Sequence, residues 1–213
     1  MAMQSDDDGS AYPVRIASYS DADLPAGIAE QVRALIQQAW PAEPPEPAEP
    51  AETTEPGGLS ATGHDPALSP ITMVLTRGST VLSCLSVLSK PIVHGAASYL
   101  ASGISTMVTD RTQRRHRYGL RLASAARQFM ARSGADLGVF TCDRSLQDFY
   151  LQAGWSHFDQ TVLIGGTRQD PLASDQFDKV CLGSLFSTRA IAASTTFIAT
   201  RIELYPGAID RLW

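Results

Sequence analysis

Over residues 14–19 the chain alternates apolar and polar positions, Val14-Arg15-Ile16-Ala17-Ser18-Tyr19, the period of two that a half-buried strand requires. Ser20, Asp21 and Asp23 follow with turn and capping chemistry. The period then lengthens. Ile28, Val32, Leu35, Ile36, Ala39 and Trp40 fall on one stripe at helical spacing, which predicts a helix over residues 26–40 that Pro41 ends. The stretch from Pro41 to Gly58 repeats Pro, Ala and Glu with almost nothing to bury, so residues 41–69 are expected to be a solvated, disordered insertion.

Strand periodicity returns at residues 71–75 and 80–88, and the turn signal Arg77-Gly78 between them predicts an antiparallel hairpin. A third strand is expected over 98–109. Residues 118–132 have helical spacing, with Leu122, Ala126, Phe129 and Met130 inward, Arg121, Ser124, Gln128 and Arg132 outward, and Gly134 as the stop. The apolar run 137–141 reads as a buried strand parallel to the one before the helix, and this strand–helix–strand unit places the chain in the α/β (α+β) class. A short helix at about 146–153, a strand at 161–164 and a closing strand within 197–204 complete the prediction. The chain thus reads as a flexible start over 1–13 and one domain over 14–213 that carries the insertion.

Composition narrows the function. With 213 residues, 44% of them hydrophobic and 18% charged, the chain can bury one core. A net charge of -5 argues against a partner bound through phosphate neutralisation, so no nucleic acid is expected. Cys84, Cys142 and Cys181 are odd in number and widely spaced, which suits reduced thiols in a cytoplasmic protein rather than a disulfide framework. His64, His94, His116 and His157 form no ligand spacing, so no metal is expected; no apolar run reaches membrane-spanning length, so no membrane is expected either. Nothing in the pattern chooses between a monomer and a homodimer.

Two segments carry candidate chemistry. Arg114-Arg115-His116-Arg117-Tyr118-Gly119 runs into the helix at 118. The first N–H groups of a helix have no partners and sit at the positive end of its dipole, so this turn can hold a pyrophosphate, with the arginines adding charge and Gly119 allowing close approach. Downstream, Leu146, Phe149, Tyr150 and Ala153 share one helix face, and Gly154-Trp155 stops that helix. Periodicity alone makes Tyr150 a core tyrosine; at the crevice between parallel strands its phenol would instead donate a proton.

In this order the two segments resemble the GCN5-related N-acetyltransferase superfamily, in which Arg/Gln-x-x-Gly-x-Gly precedes a helix and a later Asn-x-x-Ala-x-x-Phe/Leu-Tyr-x-x-x-Gly-Phe helix carries a general acid. Arg114, Gly119 and Leu122 match the first pattern and Tyr150, Gly154 and Trp155 the second; the match covers about residues 99–164. The resemblance implies a mixed central sheet with a splayed parallel strand pair flanked by helices, and acetyl-CoA as co-substrate. It further implies transfer of an acetyl group by direct attack of a small-molecule primary amine. By the same resemblance Tyr150 is the acid. Met107, Val108, Thr109, Arg114, Arg115, His116, Arg117, Tyr118, Gly119 and Asp143 would contact the coenzyme. A longer-chain acyltransferase and a non-catalytic acyl-CoA-binding module are the alternatives.

Three positions depart from the family pattern. Arg117 stands where the first glycine is usual, which costs about 1–2 kcal/mol if that residue must be left-handed. Asp143 replaces an asparagine and accepts but cannot donate. Ser105 occupies the position of a glutamate base, which leaves a water chain, Asp110, Asp210 or His94 to take the proton. The closing Asp210-Arg211-Leu212-Trp213 is similar to aminoglycoside 2'-N-acetyltransferases, which implies that Asp210 and the Trp213 carboxylate, with Ser105, face the acceptor amine.

Overall fold

The computed structural model describes residues 12–41 and 63–205. In chain order these form β1 (Val14–Ser20), α1 (Ala26–Ala39), β2 (Ile71–Arg77), β3 (Thr80–His94), β4 (Ala97–Thr109), α2 (Tyr118–Arg132), β5 (Leu137–Asp143), α3 (Gln147–Gln152), β6 (Ser156–His157), β7 (Val162–Gly166), β8 (Pro171–Ala173), β9 (Lys179–Leu185), α4 (Thr188–Ala192) and β10 (Arg201–Glu203). Seven strands make one sheet in the order β1-β2-β3-β4-β5-β9-β6, and β10-β7-β8 make a second. β1 to β4 are an antiparallel meander, whereas β4 and β5, joined through α2, run parallel. The mixed α/β architecture expected from the sequence is therefore the one adopted.

Each face of the large sheet has its own cover. α2 buries Leu122, Ala126 and Met130 against Met73, Leu85, Ile104 and Phe140 on one face. On the other, α1 brings Val32 and Leu35 onto Val74, Cys84 and Val108, while the small sheet and α4 cover Ile92, Tyr99, Ala101 and Val139. Trp155 locks α3 to α2: its ring meets Phe140 edge-on at 4.8 Å and its Nε1–H donates to the Ala123 carbonyl at 3.3 Å. Among the described residues no helix is long and apolar enough to cross a membrane.

Some boundaries differ from expectation. The insertion does not reach residue 69: Asp65 caps a 3-10 turn at Pro66–Leu68 by accepting from the Ala67 N–H, and Leu68 is fully buried. Residues 1–11 and 42–62 of the expected flexible segments lie outside the described residues. Trp40, placed on the buried stripe of α1, is 56% exposed because the helix ends at Ala39. The strand expected within 197–204 is only Arg201–Glu203, paired in parallel with β7. β9 is not among the expected strands; its short apolar run Val180-Cys181-Leu182 lies between β5 and β6.

Candidate active site

The site grows from a break in the sheet. β4 and β5 are in parallel register only at Ala101–Leu137 and Ser102–Gly138, and the pairing goes no further toward their C-terminal ends. Upstream of its end β4 also bulges: Ser86 and Cys84 of β3 oppose Ser105 and Val108, so two β4 residues face one, and Thr106 takes a left-handed φ of 50°. Such a bulge re-aims side chains and frees a backbone group from the ladder. The gap opens into a cleft of about 440 Å³, lined by Met107 and Thr109 of β4, Gln113 to Arg115 of the turn, Arg117 to Leu120 at the mouth of α2, and Leu146, Phe149, Tyr150 and Gln152.

The mouth of α2 is open in the sense a polyanion needs. Arg117, its N-cap, has φ 58° and makes no side-chain capping bond, and no acidic residue lies in the first turn. Arg115 is also left-handed, at φ 71°. The glycine position of the turn therefore does demand positive φ, and Arg117 carries the strain that the sequence comparison made conditional. His116 braces the turn, its Nδ1 lying 3.1 Å from the Arg114 carbonyl and its ring stacked on Tyr118 at 5.4 Å. Gly119 forms the floor: a Cβ there would meet Thr109 Oγ1 at 3.1 Å and Met107 Cε at 3.2 Å. A coenzyme with a pyrophosphate and a thin pantetheine arm fits this combination of open amides, cations and a floor without side chain.

Tyr150 stands on the facing wall. Its ring is held edge-on between Phe140 and Phe149, both 4.9 Å away, and its hydroxyl donates to Met107 Sδ at 3.4 Å. Burial, followed by the fields of Cys142 and Asp143, raises its pKa above the ordinary phenol value, so the group keeps its proton. A thioether is a weak acceptor, so that proton is loosely engaged.

Most of the residues expected to contact the coenzyme line this one cleft: Met107, Thr109, Arg114, Arg115, Arg117, Tyr118 and Gly119, together with Tyr150. Others sit elsewhere. The Val108 side chain packs under α1 on the opposite face of β4. His116 lines a neighbouring groove with Arg77 and Arg121. Asp143 does not line the cleft; its carboxylate pairs with Lys179 at 2.8 Å. Ser105 is buried beside Thr106, and Asp210 and Trp213 lie outside the described residues.

By sequence the chain matches no family model and no curated protein. In structure it is similar to an acyl-CoA N-acyltransferase of Pseudomonas aeruginosa, with TM-score 0.51 and 17% identity over 80% of this chain and 99% of that one. It is also similar to ElaA of Escherichia coli, with TM-score 0.53 and 11% identity over the same shares. The fold is that of the GCN5-related N-acetyltransferases. Within this acetyltransferase fold two of the candidate bases fall away from the cleft. His94 stacks on Phe197 and its Nε2 meets the Thr196 carbonyl at 2.7 Å, while Asp110 caps the turn after β4 by accepting from the Thr112 N–H at 2.7 Å. The Cys142 thiol is pushed up to about 11, first by burial and then by Asp143, which makes it a packed thiol rather than a nucleophile. One polar residue that the sequence left inside the insertion, His64, is buried against the β4 bulge.

Proposed function

We propose that the protein is an acetyl-CoA-dependent N-acetyltransferase that modifies a primary amine on a small molecule by direct transfer. One juxtaposition supports this reading above others: the uncapped mouth of α2 and the protonated phenol of Tyr150 face each other across one cleft, at the point where two parallel strands part. Acetyl-CoA would supply an activated thioester carbonyl there. The amides that open α2, with Arg114, Arg115 and Arg117, would hold the pyrophosphate, and Gly119 would leave room for the pantetheine arm. A backbone N–H within residues 107–109 would hold the thioester oxygen. Tyr150 would give its proton to the leaving sulfur. Positioning two bound reactants is worth on the order of 7–11 kcal/mol and the acid a further 10²–10⁴-fold, so geometry supplies the larger share.

Release of free thiol from acetyl-CoA, followed across aminoglycosides, polyamines and peptide N-termini, tests the reading directly. Turnover with at least one amine is expected, and a series of acyl-CoA lengths should show acetyl preferred. Tight acetyl-CoA binding with no thiol release for any amine would assign the chain to the non-catalytic binding modules instead.

A further inference from the structure

Strand register places Tyr19, Thr72, Ser86 and Ser105 opposite one another on β1, β2, β3 and β4. Directly paired residues point to the same side, so these four hydroxyl-bearing side chains form a row on the α1 face of the sheet. The row lies between the two apolar clusters of that face, with α1 over Val74 and Val108 on one side and the small sheet over Tyr99 and Ala101 on the other. Thr72 and Ser86 are each 1% exposed, and neither hydroxyl has a hydrogen-bond partner among the described residues. An unmet buried hydroxyl costs about 1–3 kcal/mol, so the fold carries a polar strip through an otherwise apolar face.

The row ends at a chain of contacts. Ser105 Oγ lies 3.2 Å from Thr106 Oγ1, and Thr106 Oγ1 lies 3.0 Å from His64 Nε2. His64 is 5% exposed and is carried there by the structured end of the insertion, which Asp65 and Leu68 anchor. Met107, the next residue along β4, receives the Tyr150 hydroxyl. The β4 bulge thus has the phenol at one side and an imidazole at the other.

Resting on the N-acetyltransferase reading, we propose that His64 takes the proton of the acceptor ammonium through the hydroxyls of Ser105 and Thr106. An ammonium has no lone pair and cannot attack. Loss of one proton to His64 Nε2, by stepwise shift along the two hydroxyls, leaves a free amine whose nitrogen forms the bond to the acyl carbon as the carbon–sulfur bond breaks. Tyr150 gives its proton to the sulfur and recovers one from the nitrogen, so the products are the amide, the free thiol and a protonated His64 that discharges to solvent. The relay requires the Nε2 atom to accept from Thr106, hence the imidazole proton on Nδ1. Ser105, which cannot serve as a base, becomes the first link.

Two measurements test this. Histidine ¹⁵N shifts of the wild-type protein, taken at about pH 9 where imidazole is neutral, should show His64 in the Nδ1–H form; the Nε2–H form overturns the relay whatever the activity. In the second, His64→Gln and Ser105→Ala are compared with wild type on a primary amine from the acceptor panel and on an acyl hydrazide of matching size, whose terminal NH2 is uncharged at neutral pH. His64→Gln should lower kcat/KM for the amine roughly 10²-fold, the low end of the range for a general base, and Ser105→Ala by less, roughly 10-fold, because water can replace one hydroxyl link, with the hydrazide nearly unaffected. Equal losses on both acceptors, in either variant, mean a structural role and overturn the proposal. Should His64→Gln fail to fold, Ser105→Ala and the shifts still decide. A loss confined to the amine in Lys90→Met, with His64→Gln unchanged, would move the role to that buried lysine. Wild-type protein that releases no thiol sinks the transferase reading and the relay together, whereas wild-type turnover that survives His64→Gln sinks the relay alone.

Discussion

At Ala101 and Ser102, β4 is in parallel register with Leu137 and Gly138 of β5; by Thr109 and Asp143 the same two strands have parted. The closed end is tied by Asp136, which is buried. Its carboxylate accepts from the Leu100 N–H at 2.8 Å and from Nε and Nη2 of Arg189, and its backbone carbonyl accepts from the Phe186 and Ser187 N–H groups. Arg189 in turn lies 5.4 Å over the Tyr99 ring. The open end has the opposite character: a bulge, two left-handed arginines, a helix without a side-chain cap and a phenol that donates to a sulfur. One strand pair therefore concentrates satisfied polar groups at one end and unsatisfied or strained ones at the other. The cleft is held in shape by contacts that lie outside it, and loosened local geometry is what leaves groups available for a ligand.

That contrast predicts that substitutions at the two ends fail in different ways. The largest effect belongs to Tyr150→Phe, which should cut turnover by about 10²–10⁴-fold while leaving acetyl-CoA affinity and thermal stability near wild type; unchanged turnover would remove Tyr150 as the acid. Asp136→Ala should do the reverse, costing about 2–3 kcal/mol of unfolding free energy in a denaturant titration because the Leu100 N–H loses its partner and Arg189 its counter-ion. The exposed arginine, its side chain 60% accessible, keeps that figure below the one for a fully buried pair. Arg189 holds the Asp136 carboxyl well below the usual carboxylate range. A depressed folded value means that the contribution is complete above the unfolded value of about 3.9 and is lost as pH falls through the folded one, so Asp136→Ala should also flatten the acid limb of the stability profile. The smallest effect is expected at Arg117→Gly. Relief of the left-handed strain, less the entropy glycine adds to the unfolded chain, should stabilise the protein by about 0.5–1 kcal/mol while weakening coenzyme affinity through loss of a cation; a drop in melting temperature would contradict the strain argument.

Much of this contrast could be read from residues in order. The spacing of Leu122, Ala126 and Met130 gave α2 its buried face, and the basic turn with Gly119 located the helix mouth, because both are local properties of the chain. Tyr150 was ambiguous by periodicity, since a core tyrosine and a cleft tyrosine occupy the same helix face. What could not be read depends on register. The bulge at Thr106 arises from pairing with β3, and the hydroxyl row exists only once four strands align. His64 was hidden for a related reason. It follows a Pro- and Glu-rich stretch with no apolar period, and its burial comes from docking onto β4 rather than from any pattern around it. The bond of Asp143 to Lys179 of the neighbouring strand β9 likewise depends on strand pairing and has no local signal.

The central claim, that the coenzyme sits at the mouth of α2, is tested most directly by titrating acetyl-CoA calorimetrically into wild type and Gly119→Val. Side-chain carbons at position 119 would crowd Thr109 and Met107 at the cleft floor. Saturable one-to-one heat in wild type that is lost in a folded Gly119→Val variant is the predicted result; no heat in wild type, or equal heat in both, would contradict the account.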